Sequence, residues 1–380
     1  MDANIQERDR RLALFNKLME AENLDGLIFT STAQQTCQMA VKYATNYPLT
    51  TRRGFACMAR GKMPRLFIPT VGQQFHARAL SWLPPENIVS GNLLTGVLGF
   101  IQSLPGTHLR IGLYEPDQIP VSIYRELANS GAEFVDITVY LTQLRAPKSA
   151  YELELLEAAS SIAVESFQWI LRHLKPGVTE QELIGGAEGF LRARGAEDFL
   201  VLTRSEKPHT FISRPKNVPV KPDGIFVYSC EVAGPGGYWS QLVRPVFMTH
   251  GCQDEAYQVL QVIREALAAG EALLRPGNRI CDVDEAIAEV VKQKGCHAGV
   301  WSGHGMGADL GDGIDIGAPN KMELVPNMVL TLHPSVVGES DGLLYGNTYV
   351  VRETGGQNLT PAYADSCYLE DLLKELNTKG

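Results

Sequence analysis

The second half of the 380-residue sequence contains the same arrangement of helix signals twice, one hundred residues apart. Each copy has a Pro-Gly breaker, an acidic capping box and a glycine stop, at 176–177, 179–182 and 195 in the first copy and at 276–277, 282–285 and 295 in the second. A capping box opens a helix, and a glycine commonly ends one. Because the three signals agree in order and spacing, the sequence predicts two related helix-helix-strand halves. A ligand cleft is expected between them.

The chain before Arg145 shows a different pattern, in which helical and strand-like segments alternate. An amphipathic stretch from Ile5 to Glu22 is followed by the apolar run Gly26–Thr30, and further strand-like runs lie at 54–58, 65–68 and 110–113. Such alternation favours an α/β layer architecture. The pattern ends at Arg145-Ala-Pro-Lys-Ser149, just before a long helix signal. We therefore predict an α/β domain at residues 1–146 and a second domain at residues 147–380.

Composition and charge argue against several classes of protein. The net charge is −9 and no segment is rich in Lys or Arg, so nucleic acid is not an expected partner. No apolar run approaches the ~18 residues that cross a bilayer, and the charged N-terminus has no leader pattern, so we expect a cytoplasmic protein without membrane contact. The seven cysteines form no C-x-x-C pair, which argues against a disulfide framework or a zinc knuckle. They are Cys37, Cys57, Cys230, Cys252, Cys281, Cys296 and Cys367.

A glycine-rich turn at residues 233–237 separates two apolar runs, 224–232 and 238–247, and this pattern predicts a β-hairpin. Glu231 falls at the end of the first strand, beside the turn. It is either a solvated carboxylate at a strand edge or a carboxylate held at the mouth of a cleft.

Two histidines in the last third of the chain are candidate functional residues. His304 lies within Trp301-Ser-Gly-His-Gly-Met-Gly307, where the flanking glycines let the backbone approach a ligand closely. His333 ends the apolar run Met328–Leu332 and precedes Pro334. A structural role is the alternative for each imidazole.

The order of these motifs resembles the creatinase/prolidase/methionine aminopeptidase superfamily. The motifs that carry the resemblance are Arg145-x-x-Lys-Ser, Gly237-Tyr238 with Arg244, Gly303-His-Gly-Met-Gly307, Pro319 and Met328-Val-x-Thr-x-x-Pro334. The resemblance implies an α/β (α+β) fold, with a creatinase-like N-terminal domain and a pita-bread catalytic domain that has internal pseudo-twofold symmetry. It also implies a homodimer whose active site lies near the subunit interface.

The peptidases of that superfamily hold two divalent metals with four carboxylates and one histidine. The corresponding positions here are Cys230 or its neighbour, Gln241, His304, His333, and Gly346 or Asn347. Only the histidine, His304, is kept, and hard divalent ions prefer anionic oxygen ligands. We therefore expect neither a metal nor another cofactor. A soft zinc site formed by Cys230, His304 and His333 is the open alternative.

Metal-free members of the superfamily resemble creatinase or ectoine hydrolase, and Cys230-Glu-Val-Ala-Gly234 is similar to the ectoine-hydrolase hairpin. The resemblance implies a metal-independent hydrolase that cleaves a non-peptide C–N bond in a small nitrogen-containing metabolite, rather than a peptidase. A lyase or decarboxylase, an Xaa-Pro metallopeptidase and a catalytically silent binding module are the alternatives.

Glu231 is expected to act as general base or nucleophile, with His304 as the partner acid. His333 would donate a hydrogen bond or carry a positive charge beside them. The expected substrate-binding residues lie in three places. Tyr238, Gln241 and Cys230 belong to the hairpin, His209 is the upstream histidine, and Arg52 and Arg53 lie in an N-terminal loop.

Overall fold

The computed structural model describes residues 3–35, 37–251, 254–299, 302–363 and 366–379. Cys252 and Trp301, both singled out in the sequence, lie outside the described residues. The chain divides into two compact units, Met1–Arg145 and Ala146–Gly380.

The first unit is a mixed sheet with helices, and its elements follow the predicted alternation. Its helices are α1 (Ala3–Ala21), α2 (Met39–Thr45), α3 (Val71–Leu80), α4 (Leu93–Ser103), α5 (Val121–Ala128) and α6 (Thr138–Arg145). Its strands are β1 (Gly26–Ser31), β2 (Gly54–Ala59), β3 (Arg65–Ile68), β4 (Ile88–Ser90), β5 (Arg110–Tyr114) and β6 (Glu133–Asp136). They form one six-stranded sheet in the order β4-β3-β2-β1-β5-β6. All four predicted strands are confirmed, whereas the short strands β4 and β6 were not predicted.

The second unit carries three sheets and five helices among the described residues. Its helices are α7 (Ala150–His173), α8 (Glu180–Ala193), α9 (Asp254–Glu271), α10 (Ile280–Gln293) and α11 (Leu369–Lys379). Its strands are β7 (Asp198–Arg204), β8 (Ile225–Ala233), β9 (Trp239–Phe247), β10 (His297–Ala298), β11 (Gly303–Met306), β12 (Leu310–Ile316), β13 (Val329–Leu332), β14 (Ser335–Val337), β15 (Gly342–Leu344), β16 (Asn347–Arg352) and β17 (Gly355–Asn358). The sheet orders are β7-β8-β9, β12-β11-β13-β16-β17 and β10-β14-β15.

The repeated helix signals correspond to the helix pairs α7–α8 and α9–α10, and α8 and α10 are both 14 residues long. Thr179 and Glu182 form the predicted capping box of α8, with hydrogen bonds of 2.9 and 3.2 Å. The second capping box lies three residues earlier than predicted. There Asp282 accepts a hydrogen bond from the backbone N–H of Arg279, 2.9 Å away, so α10 begins at Ile280.

Each half of the second unit has its own hydrophobic core. In the first half, α7 and α8 pack on the β7-β8-β9 sheet around residues such as Phe167, Leu191 and Val232. In the second half, α9 and α10 pack around residues such as Leu260 and Leu330. The hairpin strands β8 and β9 are buried along their whole length, because one face contributes to the first core and the other to the second. No helix in the described part of the chain is both long and apolar enough to span a bilayer.

Candidate active site

Glu231 and Gln241 are directly opposite each other on the hairpin, in the register of β8 and β9. Directly paired residues of antiparallel strands place their side chains on the same face of the sheet. Val227 and Val243 share that face and belong to the core of the second half. Glu231 and Gln241 therefore face the half of the unit that carries both candidate histidines, and each is less than one tenth exposed.

Cys230 faces the other way. It pairs with Leu242, and both belong to the core that the hairpin forms with α7 and α8. Burial raises the pKa of the Cys230 thiol to about 12, so the group is a neutral core residue at physiological pH. The structure thus separates Cys230 from the substrate-binding role expected of it, because neighbouring residues on a strand point to opposite faces.

Three contacts involving the backbone of β9 join this strand to the second half of the unit. Gln241 donates from its backbone N–H to the Thr348 hydroxyl, 3.0 Å away, and this hydroxyl donates back to the Gln241 carbonyl at 2.9 Å. Val243 and Gly346 form a β-bridge, and the backbone N–H of Trp239 donates to the carbonyl of Gly307 at 2.8 Å. The hairpin is therefore joined both to β16 and to the glycine-rich segment that follows His304.

His304, on β11, and His333, just after the end of the adjacent strand β13, come together in that half. Their ring centroids are 5.1 Å apart, with an interplanar angle of 65°. The backbone N–H of His333 donates to the carbonyl of Ser302, which fixes the end of β13 beside β11. A Cβ built on Gly346 would lie 2.4 Å from the Cβ of His333, so only glycine fits there. His333 thereby lies against Gly346, the residue just before β16 that forms the bridge to β9.

The two imidazoles are neutral at pH 7. Burial lowers the pKa of His304 from its ordinary value of 6.5, although the Gly305 carbonyl and Asp315 oppose the shift. Burial and the neighbouring His304 lower the pKa of His333 to about 3. A carbonyl can only accept, so His304 Nδ1 donates to the Gly305 oxygen, 3.1 Å away. The neutral ring then keeps an acceptor lone pair on Nε2.

Burial shifts the pKa of Glu231 in the opposite direction to that of the histidines. Burial raises the pKa of its carboxyl to about 8, so the group is mostly protonated at pH 7. A protonated carboxyl donates a proton, and a neutral imidazole accepts one. The electrostatics therefore favour Glu231 as the acid and His304 as the base, the reverse of the roles that the sequence suggested. His333 also carries no positive charge near neutral pH.

Several buried polar atoms near Glu231 and the two histidines have no hydrogen-bond partner within the protein. They include the Ser229 hydroxyl, Gln241 Oε1 and His333 Nε2. Buried polar atoms are nearly always hydrogen-bonded in folded proteins, so these three are suited to contact a polar ligand or water.

Tyr238 and Arg244 have structural partners instead. The Tyr238 hydroxyl donates to Glu152, 2.9 Å away, in the first turn of α7. The fully buried Arg244 guanidinium donates to the Gly346 carbonyl and to Asn347 Oδ1, among others, and so ties β9 to the start of β16. Tyr238, expected to contact substrate, therefore links the hairpin to a helix.

The remaining sequence candidates lie elsewhere. His209 lines a cavity beside Ile225, at the opposite end of β8 from Glu231. Arg52 and Arg53 belong to the first unit, where Arg53 donates to the Thr30 hydroxyl at 2.9 Å. The family resemblance implies that an N-terminal loop reaches the site of the neighbouring subunit in a homodimer. That Arg52 and Arg53 bind substrate in this way stays a prediction.

The donor set does not fit the two metals of the related peptidases. Of the five corresponding positions, the first is Cys230, which faces the opposite core, or its neighbour, and the last is Gly346, which has no side chain, or Asn347. The other three are Gln241, His304 and His333, so the set offers one carboxylate at most. Within the described ranges, no three His, Cys, Asp or Glu side chains are close enough together to hold a metal ion. This also removes the soft zinc site of Cys230, His304 and His333.

Sequence reasoning missed a buried ion pair that supports His304. Lys148 Nζ lies 2.6 Å from Asp312 Oδ2, and each side chain is only 2% exposed. Asp312 lies in the irregular part of β12, where the register shifts between His304 and Gly305. Lys148 also donates its backbone N–H to the carbonyl of Asn327, just before β13. The glycines on both sides of Asp312 are the sequence feature that could have indicated an irregular, functionally important backbone here.

The family follows from comparison with known proteins. The model described as Metallopeptidase family M24 matches residues 154–353, and the model described as Creatinase/Prolidase N-terminal domain matches residues 11–146. The chain therefore belongs to metallopeptidase family M24 and carries a creatinase/prolidase-type N-terminal domain. The pita-bread fold expected from the sequence is confirmed.

Relatives and solved structures agree with this assignment. The chain is 29% identical over 240 residues to Uncharacterized peptidase YqhT of Bacillus subtilis, which covers 61% of this chain and 67% of the relative. Dipeptidase PepE from Mycobacterium ulcerans has a TM-score of 0.82 at 20% identity and covers 97% of this chain and 99% of its own. The Xaa-Pro dipeptidase from Bacillus anthracis has a TM-score of 0.80 at 20% identity, covering 95% and 99%. At such identities the structural likeness shows the fold.

These findings correct the function expected from the sequence. A metal-independent, creatinase-like hydrolase of non-peptide C–N bonds is the wrong assignment, because the family is a metallopeptidase family and the relatives are named peptidases. The expectation that the chain is not a peptidase is wrong for the same reason. The mismatch of its donor set with the family's metals remains a property of this site.

Proposed function

We propose that this chain is a peptidase that hydrolyses dipeptides, with Xaa-Pro dipeptides as the substrate class. The names of the relatives and of the structures with this fold support the class of reaction. The observation that carries the proposal is that Glu231, which is protonated near pH 7, faces the half of the unit that carries His304, which is neutral there.

Peptide hydrolysis needs a group that takes a proton from water and a group that gives one to the leaving nitrogen. His304 Nε2 takes the proton of the attacking water, and Glu231 protonates the nitrogen as the C–N bond breaks. The nitrogen of an Xaa-Pro bond is a tertiary amide and leaves as a secondary amine only after it is protonated. An acid with a raised pKa is suited to that step.

Gln241 and His333 hold the substrate in this mechanism. Their buried atoms Oε1 and Nε2 lack protein partners, and each can bond to a polar group of a dipeptide. Both residues lie on backbone that is fixed from two sides, which keeps the site preorganised. No step is assigned to a metal, because the donor set does not fit one.

The test uses two dipeptides with the same composition, Ala-Pro and Pro-Ala, and the purified full chain. Release of free amino acids is followed by proton NMR without added metal and with Mn²⁺, Co²⁺ or Zn²⁺, so the result does not depend on metal content. We expect cleavage of Ala-Pro and little cleavage of Pro-Ala. Intact Ala-Pro under all four conditions would contradict the proposal.

Peptide binding without cleavage is a second candidate function. It is favoured by the donor set, which offers one glutamate at most where related peptidases hold their metals with four carboxylates. Calorimetry with Ala-Pro distinguishes the two candidates, since a binding protein would show saturable heat with no free amino acid released.

A further inference from the structure

His209 and Asp341 form a buried pair that the proposed peptidase reaction does not use. Their side chains are 2.7 Å apart, from Nδ1 to Oδ2, and both residues are less than one tenth exposed. Asp341 Oδ1 also accepts the backbone N–H groups of His209 and Gly342, at 2.9 and 2.8 Å. The carboxylate is therefore held by three hydrogen bonds between a loop after β7 and the start of β15.

The protonation of this pair follows from its contacts. Burial opposes ionisation of Asp341, but the hydrogen bonds from His209 outweigh it and hold the pKa of this carboxyl below its usual value. An ionised carboxylate only accepts, so His209 Nδ1 is the donor. The bond fixes the orientation of the ring, and His209 is one of the residues that line the adjoining cavity.

That cavity has a volume of about 460 Å³, within the range of small-molecule sites. It is lined by Ile225, the first residue of β8, whereas Glu231 lies six residues further along the same strand. At about 3.3 Å per residue, the two positions are about 20 Å apart. The cavity is therefore distinct from the candidate active site.

The rim of the cavity carries charges of both signs. Lys207 and Lys221 supply ammonium groups, and Glu206 and Asp223 supply carboxylates. Lys207 Nζ lies 4.0 Å from Asp341, beside the imidazole. A ligand with charge of only one sign would meet two groups of the same sign here. A molecule with both charges can pair with each set.

We propose that the His209 cavity binds a small zwitterion of the α-amino acid class, with its carboxylate toward Lys207 and Lys221 and its ammonium group toward Glu206 and Asp223. The site is independent of the proposed peptidase activity, and it would bind an amino acid whether or not the cleft cleaves peptides.

The test compares L-alanine with propionate and ethylamine, which each lack one of its two charges. Binding to the full chain is followed by NMR of ¹⁵N-labelled histidine side chains, with the His209 signals assigned from the His209→Gln variant. We expect L-alanine to shift the His209 imidazole signals saturably, and each single-charge probe to bind at least about tenfold more weakly. Shifts at His304 without shifts at His209, or no saturable shift, would overturn the proposal.

Exposed residues allow a second test that does not disturb the buried pair. Lys221→Gln and Glu206→Gln each remove one rim charge and should weaken L-alanine binding about tenfold, since a charge-assisted hydrogen bond is lost. Lys374→Gln is the matched control, because this exposed lysine lies on α11 in an ion pair with Glu370. Unchanged affinity in both rim variants would also overturn the proposal. Glu231→Gln should lower peptide cleavage by at least about 10²-fold but leave this binding intact.

Discussion

At the scale of single residues, burial reverses the ordinary order of the pKa values of Glu231 and His304. Burial raises the pKa of Glu231 to about 8 and lowers that of His304 below 6.5. Burial disfavours the charged form of both groups, so the same cause shifts an acid up and a base down. Between the two values the acid is protonated and the base is free, which is the combination that the proposed mechanism needs.

The pH dependence of kcat/KM for Ala-Pro should therefore be bell-shaped. Activity falls as the pH rises through about 8, because Glu231 loses the proton it must donate. Activity also falls on the acid side, below pH 6.5, as His304 gains a proton and can no longer accept one. If Glu231 were the base, activity would instead rise through pH 8, so the direction of the basic limb decides between the two assignments.

Glu231→Gln is the matched variant for this profile, since it keeps the shape of the side chain and removes the titration. Turnover should fall by at least about 10²-fold, and whatever activity remains should lack the basic limb. A variant that keeps near-wild-type turnover would exclude Glu231 as the acid.

The sequence located these residues but left two of their properties open. The hairpin strands were predicted within a residue of their observed bounds, so the position of Glu231 beside the turn is confirmed. Strand alternation already places Cys230 and Glu231 on opposite faces of the hairpin. Which face meets the second half depends on how the helices pack, and the local sequence does not show this. The roles of Glu231 and His304 depend on burial, which only the folded chain determines.

At the scale of secondary-structure elements, His304 depends on an irregular strand pair. β11 and β12 change register between His304 and Gly305, and the buried pair of Lys148 and Asp312 holds this region. A Cβ on Gly307 would lie 2.3 Å from the Asp312 carboxylate, so the glycine is required for the close approach. The pair spans 164 residues in sequence, which is why local patterns could not reveal it.

Lys148→Met should lower the free energy of unfolding by about 3–5 kcal/mol, because it leaves the Asp312 charge buried without its ion partner. Urea denaturation measures the effect. The double variant with Asp312→Asn should recover part of the loss, since asparagine is uncharged and tolerates the positive φ of 44° at this position.

Lys374→Met is the matched control for that experiment. Lys374 pairs with Glu370 on the surface of α11, where both side chains are about two-thirds exposed. Such a pair contributes at most ~1 kcal/mol, so the control should change stability little. If Lys148→Met cost no more than Lys374→Met, the buried pair would have no special role in holding the β11–β12 region.

At the scale of the whole molecule, the family resemblance implies a homodimer, and the creatinase-type N-terminal unit exposes a surface suited to assembly. Helix α3 of this unit exposes two apolar side chains, Val71 at 60% and Phe75 at 67%. Residues four apart lie on the same face of a helix, so these two form one apolar strip. Exposed apolar strips on a folded unit commonly mark a surface that binds another protein. A second copy of this chain is the partner that the family resemblance implies.

Light scattering should therefore report about twice the chain mass of 41.7 kDa at micromolar concentration. Phe75→Glu should shift the population toward the monomer, because it places a charge on a strip that would be desolvated in the dimer. Lys62→Glu, on the exposed turn between β2 and β3, is the matched control and should leave the mass unchanged. A monomeric wild-type protein would refute the homodimer and leave Arg52 and Arg53 without a neighbouring site to reach. A dimer that persists in Phe75→Glu would keep the assembly but exclude α3 as its interface.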